Sequence, residues 1–480
     1  MKLAALFFAL TYLFASCVPK TPTSPPDAQL PAGYRGAPLP GASAPSLADL
    51  PWKTFYEDPV LQALIAKALT HNYNAQLAYA AVLAAAANVD ITHANQLPQV
   101  GATVQAPFQA TLGSKAASVP SFEFGPEGSI GASYTVDLFG KLKSATAASK
   151  AQLLASQEAY ETVLWSLVAQ VAGEYFELRE LDSVLAISLS AITDREQSLR
   201  LVKLRVQYGE SSLQDQLQAE QSLYEVTEEV PQIKQNIAQT EASLSVLLGD
   251  YPHAIERGRD LEHQIDMPAL PATGLPSQLL ARRPDVRQAD ATLVAADAQI
   301  DVARTLLLPS FTFGGSAGVG AEYSTGTFPN LPAVLASLAK VNNIFYGPTG
   351  LFALVPQLTQ TIFAGGSLKA HVRLAEAQQR EAVVQYLQTV QNGFTDVVNA
   401  LAAYDGQRAF RVQQELYTAA SIESTRLAKI RYSEGQASYL EVLDAETREY
   451  QAQVSTEQAR LNERVAMVQL YLALGGGLTP

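Results

Sequence analysis

The residues best placed for chemistry are two carboxylates, Glu441 and Asp444, three apart in the run Tyr439-Leu440-Glu441-Val442-Leu443-Asp444-Ala445. On a helix that spacing turns both toward one side, and grouped like charges create a negative potential that attracts cations and resists anions. The same pair also suits a solvated helix start, where acids complement the positive end of the helix dipole. No nucleophile motif, phosphate loop or metal-ligand spacing stands out elsewhere, so neither enzymatic activity nor a cofactor is expected. Five His and one Cys cannot assemble a closed zinc site or a disulfide. The net charge of -13, without a visible Lys/Arg cluster, argues against a nucleic-acid partner.

The elements that position these carboxylates occur twice. Leu201-Val202-Lys203-Leu204-Arg205-Val206-Gln207-Tyr208-Gly209 is matched, 226 residues later, by Leu427-Ala428-Lys429-Ile430-Arg431-Tyr432-Ser433-Glu434-Gly435. The same offset pairs Ser212 with Ser438, Glu220 with Glu446 and Tyr224 with Tyr450. Asp215 and Gln218 stand where the second copy has Glu441 and Asp444, so the first copy keeps one charge of the two. At 480 residues the chain exceeds the usual single-core limit of roughly 250–300, and a repeat of this period favours an elongated form.

Helical periodicity runs from Lys141 to Tyr208 with no proline, a stretch on the order of 100 Å long. Its apolar seam, Leu164, Val168, Val171, Tyr175 and Leu178, reappears as Val390, Phe394, Val397, Leu401 and Tyr404, the three-and-four spacing of a coiled coil. Gly209 and Gly435 are the expected left-handed stops, reversing the chain into return helices of about Leu213–Leu248 and Leu440–Leu474. Before each long helix the period drops to two. Val100, Ala102, Val104, Ala106 and Phe108 alternate with Gly101, Thr103 and Gln105; after a polar, Gly/Pro-containing loop, Ile130 to Leu138 behave likewise, as do Phe311 to Val319, with Ser324 to Pro348 as the longer external loop. A fourth strand falls between Leu351 and Phe363, with Pro356 marking a bulge or an edge. Apolar-out, small-or-polar-in alternation suits a membrane barrel with a wet lumen, or equally a soluble hairpin half buried on a core. One helix from about Leu61 to Leu97, preceded by Trp52 and Phe55 as a core plug, and another from Pro284 to Leu308 precede the strand pairs. The organisation read from these signals is a first repeat over 52–250, a connector over 251–276 and a second repeat over 277–480.

Met1-Lys2 followed by apolar Leu3 to Ala15 reads as a secretory signal over 1–16, too short to span a membrane as a helix. Phe14-Ala15-Ser16-Cys17 resembles a bacterial lipoprotein box, with Phe14 replacing the usual leucine. Cys17 is then the acylated anchor, its palmitate-type chains contributing about 0.8 kcal/mol per buried methylene; the alternative is an ordinary signal cut elsewhere. Val18 is not the aspartate that retains lipoproteins at the inner membrane, which points to the outer membrane. Residues 17–51, rich in Pro, Ala, Gly and Ser, read as an extended tether.

Gly274-Leu275-Pro276-Ser277, Leu280-Ala281-Arg282-Arg283-Pro284-Asp285-Val286, both tip segments and terminal Leu472-Ala473-Leu474-Gly475 together resemble the TolC/NodT-type outer-membrane efflux proteins, in lipoprotein form. The resemblance covers nearly everything after Trp52. It implies a mixed, mainly α fold: an internally duplicated α-helical coiled-coil tunnel in the periplasm, with four transmembrane β-strands per chain closing a shared barrel as a homotrimer. Such a trimer is a passive conduit joined through a periplasmic adaptor to an inner-membrane transporter. Glu441 and Asp444 match the carboxylates that ring the periplasmic aperture, and Tyr432 matches a latch member. The arginine latch of some relatives is Ala437 here and is not carried over. Gly209, Gly435, Ser212 and Ser438 are the hairpin-tip candidates for adaptor contact, or simple helix caps. A conduit for type I protein secretion and a lipid-tethered periplasmic scaffold without a channel are the competing readings.

Overall fold

The four sequence-predicted strands all occur, and they pair into one antiparallel sheet. The computed structural model describes residues 26, 31, 33–35, 46–106, 108–111, 121–124, 127–265, 273–320, 323–325 and 349–476. The signal segment and Cys17 lie outside the described residues. The strands are Gln99–Gln105 (β1), Phe108–Thr111 (β2), Ser121–Phe124 (β3), Glu127–Val136 (β4), Ser310–Gly320 (β5), Tyr323–Thr325 (β6) and Thr349–Thr359 (β7). β1, β4, β5 and β7 form the four-stranded sheet in the order β1-β4-β5-β7.

Register fixes what each face carries, because directly opposed residues share a face. Ala102, Ile130, Ala317 and Phe352 form one row, and Val100, Ala132, Gly315 and Leu354 the next. Between them, on the other face, lies the row Gly101, Gly131, Ser316 and Ala353, with Thr135 against Thr312 further along. The apolar face has no core over it: Val104 is 87%, Phe352 82% and Leu354 68% exposed. A soluble half-buried hairpin would hide these side chains, so the uncovered face favours the membrane-barrel alternative. Pro356 pairs with Phe313 in unbroken register on the outermost strand, β7. It therefore marks an edge and not a bulge, where its missing N–H is tolerated. A second sheet, β2-β3-β6, takes up the end of the expected first strand, from Phe108, and parts of the expected loops.

The described helices are Trp52–Phe55 (α1), Pro59–His71 (α2), Tyr73–Ala94 (α3), Lys141–Gln207 (α4), Leu213–Leu247 (α5), Pro276–Arg282 (α6), Pro284–Thr305 (α7), Ser367–Ser433 (α8) and Tyr439–Ala473 (α9). α4 and α8 each have 67 residues, and α5 and α9 each have 35. The single helix expected from about Leu61 to Leu97 is broken at Asn72, whose ψ of 129° is extended. Asn72 ends α2 and caps α3: its Oδ1 accepts from the Ala75 N–H at 3.1 Å, while its Nδ2 donates to the Leu247 carbonyl at 2.9 Å. The cap and the distant carbonyl outweigh the helical pattern of the flanking alanines. α6 and α7 are divided in the same manner at Arg283-Pro284, as Pro284 requires of its predecessor.

The chain divides into two units. One contains Ala84–Leu153 and Thr292–Ala382, including the four-stranded sheet. The other contains Pro25–Leu83, Leu154–Ala291 and Val383–Pro480. Its core holds Trp52 and Phe55 as expected, with Phe55 stacked on Tyr471 at 4.1 Å, and the seam residues Val171, Tyr175 and Leu178 fully buried. The stretch 17–51, expected to be a plain tether, is fastened where it is described. Tyr34 is buried against Phe394 at 5.1 Å, and Ser46 caps a 3-10 turn at Leu47–Asp49. The connector is held too: fully buried Asp58 accepts from the Arg259 N–H at 2.8 Å and from Gln264 Nε2 and the Tyr175 hydroxyl.

Candidate functional site

Both hairpin tips are built on the same backbone device. Gly209 and Gly435 have φ of 75° and 73°, the left-handed region that a side chain disfavours. The Glu210 N–H donates to the Arg205 carbonyl, and the Gln436 N–H to the Arg431 carbonyl, each at 2.8 Å. With the Gly209 and Gly435 N–H groups returning to Val206 and Tyr432, each tip is a Schellman stop. The helix-capping role of the two glycines is thus present; it coexists with any role in docking.

The return helices start differently. Ser212 caps α5 reciprocally: its Oγ accepts from the Asp215 N–H at 3.1 Å, and Asp215 accepts from the Ser212 N–H at 2.9 Å and from Ser211 Oγ at 2.7 Å. The hydroxyl of Ser211, then the Ser212 N–H, hold the Asp215 carboxyl below its ordinary pKa. Ser438 occupies the equivalent place on α9 but makes no side-chain cap bond. Glu441, the counterpart of Asp215, instead pairs with Arg431, whose Nη2 also reaches the Gln436 carbonyl at 3.4 Å. Arg205 is the counterpart of Arg431, and with Asp215 held by the two serines it lies over the Tyr432 ring at 4.5 Å. Tyr432 packs on Tyr439 at 5.6 Å, and its hydroxyl is buried without a hydrogen-bond partner.

Asp444 pairs with Arg448 one turn further on, at 3.0 Å. Lys429 meets Glu446 at 2.9 Å, and Arg426 meets Glu423 at 2.6 Å. Every basic residue from Arg426 to Arg448 is therefore matched to an acid of the same chain. Among the described residues of this tip, Glu434, in the turn, is the acid left without an ion pair. Above it, buried Arg195 donates to the Ser222 carbonyl and lies over the Tyr450 ring at 5.6 Å. Burial, with Glu229 as a hydrogen-bond acceptor, pushes the Tyr450 hydroxyl up to about 12. A polar cavity of about 130 Å³ opens there between Asp194, Arg195, Lys429, Glu446, Glu449 and Tyr450.

The structure thus places Glu441, Asp444 and Tyr432 on one tip, as the sequence pattern requires. It adds the arginines that sequence reasoning passed over: Arg431, Arg448 and Arg205. Arg205 and Arg431 were already visible as a pair 226 residues apart; their different partners were not. Among the described residues no group of three or more His, Cys, Asp or Glu is placed to hold a metal ion.

Residues 64–250 and 275–476 match the outer membrane efflux protein family. The chain is 29% identical over 429 residues to the cation efflux system protein CusC of Escherichia coli O6:H1 (strain CFT073), covering 89% of this chain and 88% of that protein. It is 28% identical over 480 residues to the probable outer membrane lipoprotein SilC of Salmonella typhimurium, covering 99% of each. The fold matches the open state of the Neisseria gonorrhoeae MtrE outer membrane channel with a TM-score of 0.82 and 28% identity, over 96% of this chain and 99% of that one. The uncovered apolar sheet face and the long helices fit the fold of the solved outer membrane channels. The chain belongs to the outer membrane efflux protein family. It is an outer-membrane efflux channel, and its work is conduction, not catalysis.

Proposed function

We propose that the protein acts as a homotrimer, three copies of the four-stranded sheet closing a 12-stranded barrel in the outer membrane. The helices α4, α5, α8 and α9 of the three chains form a coiled-coil tunnel in the periplasm, which receives cargo from an inner-membrane transporter through a periplasmic adaptor. The observation that carries this reading is the sheet itself. β1 and β7 each have a neighbour on one side only, while the apolar face between them is uncovered. In lipid each unpaired backbone group costs several kcal/mol, so the edges of one copy must meet those of another.

Within that assembly Glu441 and Asp444 line the periplasmic aperture, Tyr432 belongs to the closing contacts, and Gly209, Gly435, Ser212 and Ser438 present the tips to the adaptor. Cys17 carries the lipid anchor, a reading supported by the similarity to a probable outer membrane lipoprotein. The test is sedimentation equilibrium of the detergent-purified chain together with conductance in planar bilayers. A trimer mass with stepwise conductance is expected; a monomer that conducts nothing sinks the reading and favours the tethered scaffold. For the anchor, Cys17→Ala abolishes labelling by radioactive palmitate, and persistent labelling would contradict it.

A further inference from the structure

The carboxylates assigned to the aperture are not bare. Glu441 is held from the neighbouring helix by Arg431, whose Nη2 also reaches the Gln436 carbonyl at 3.4 Å. Asp444 is held by Arg448 on its own helix at 3.0 Å. Both pairs are partly exposed, and exposed pairs contribute little to stability. Their effect on a passing ion is a separate matter, because it depends on the summed charge within a screening length of about 8 Å. An acid and a base in contact present a dipole over that distance, not a charge.

We infer that Arg431 and Arg448 neutralise Glu441 and Asp444 within each chain, so that these two arginines set the ion selectivity of the periplasmic mouth. This inference rests on the aperture assignment above. The mouth then carries alternating charge instead of a negative ring, and the channel discriminates weakly between cations and anions. One uncompensated unit charge about 8 Å from an ion changes its local occupancy by roughly 1.4-fold at the dielectric constant of water once salt screening is included. Removing the bases from three chains multiplies that effect.

The experiment is the reversal potential of the reconstituted full-length channel under a potassium chloride gradient. R431Q/R448Q is expected to raise the cation-to-anion permeability ratio severalfold, E441Q/D444N to lower it, and the quadruple variant to return it to the wild-type value. R448Q alone, at a side chain 65% exposed, gives a smaller rise with little risk to folding. A ratio unmoved by R431Q/R448Q and R448Q but lowered by E441Q/D444N overturns the neutralisation and leaves the aperture assignment standing. A ratio unmoved by every variant overturns the aperture assignment and this inference with it.

Discussion

Lys429 reaches across the second hairpin to Glu446 at 2.9 Å, in the same manner as Lys203 reaches Glu220 at 3.1 Å across the first. The burial of the two acids differs. The Glu446 side chain is 7% exposed and the Glu220 side chain 22%, and Glu446 Oε2 has no hydrogen-bond partner. A base that serves a buried carboxylate matters more than one serving a wetter one, because the unpaired charge left behind cannot be rehydrated.

Lys429→Met is therefore expected to destabilise by about 3 kcal/mol, and Lys203→Met by clearly less. Urea midpoints of the two variants, read by circular dichroism, check the order. Equal losses would show that burial of Glu446 carries no weight.

Glu180 is buried on α4, and burial, then Glu457 and Glu177, push its carboxyl from 4.5 up to about 7. The folded chain thus keeps a proton that the unfolded chain releases. Below pH 4.5 both states are protonated and there is no penalty; between pH 4.5 and 7 stability falls as pH rises, and above 7 the full cost is present, on the order of 3 kcal/mol. Glu180→Gln should leave Tm unchanged at pH 4 and raise it at pH 8. A pH-independent difference in Tm would count against this account.

Gly209 and Gly249 share a φ of 75°, but a Cβ at Gly209 meets nothing within 4 Å, whereas at Gly249 it lies 2.4 Å from the His71 carbonyl oxygen. Gly209→Ala should cost roughly 1–2 kcal/mol of backbone strain. Gly249→Ala must in addition push apart the end of α2 and the turn after α5, and its loss should be clearly larger. Thermal unfolding of the two variants side by side decides, and similar losses would remove the steric argument.

Arg283 explains why the Arg-Arg-Pro-Asp run is informative. Its buried guanidinium grips Asp285 through Nε and Nη2 at 3.0 and 2.7 Å, meets Asp396 at 2.9 Å, donates to the Ala473 carbonyl and lies over Trp165 at 5.4 Å. Arg283→Met should destabilise by about 2–3 kcal/mol, because Asp285 and the Ala473 carbonyl lose their donor while Asp396, 52% exposed, is rehydrated. Arg283→Lys should recover only a minor part, since a point charge cannot reproduce a planar fork. Full recovery in the lysine variant, measured by Tm, would show that charge alone suffices.

The sequence by itself determined the elements that depend on local forces. The length of the first long helix followed from unbroken periodicity between Lys141 and the stop at Gly209, its repeat from the same seam 226 residues on, and the two faces of β1, β4 and β5 from strict alternation, because side-chain direction is set within a few residues. It also marked the glycine stops. Only the tertiary structure decided which partner each polar group found. Asn72 breaks a helix that its neighbours favour because a carbonyl 175 residues away lies within reach. Arg205 and Arg431, alike in sequence, part company because Asp215 is claimed by two serines and Glu441 is not. Tyr34, in a stretch with no periodicity, is fixed by Phe394. These outcomes rest on distances between segments far apart in the chain, which no local pattern encodes.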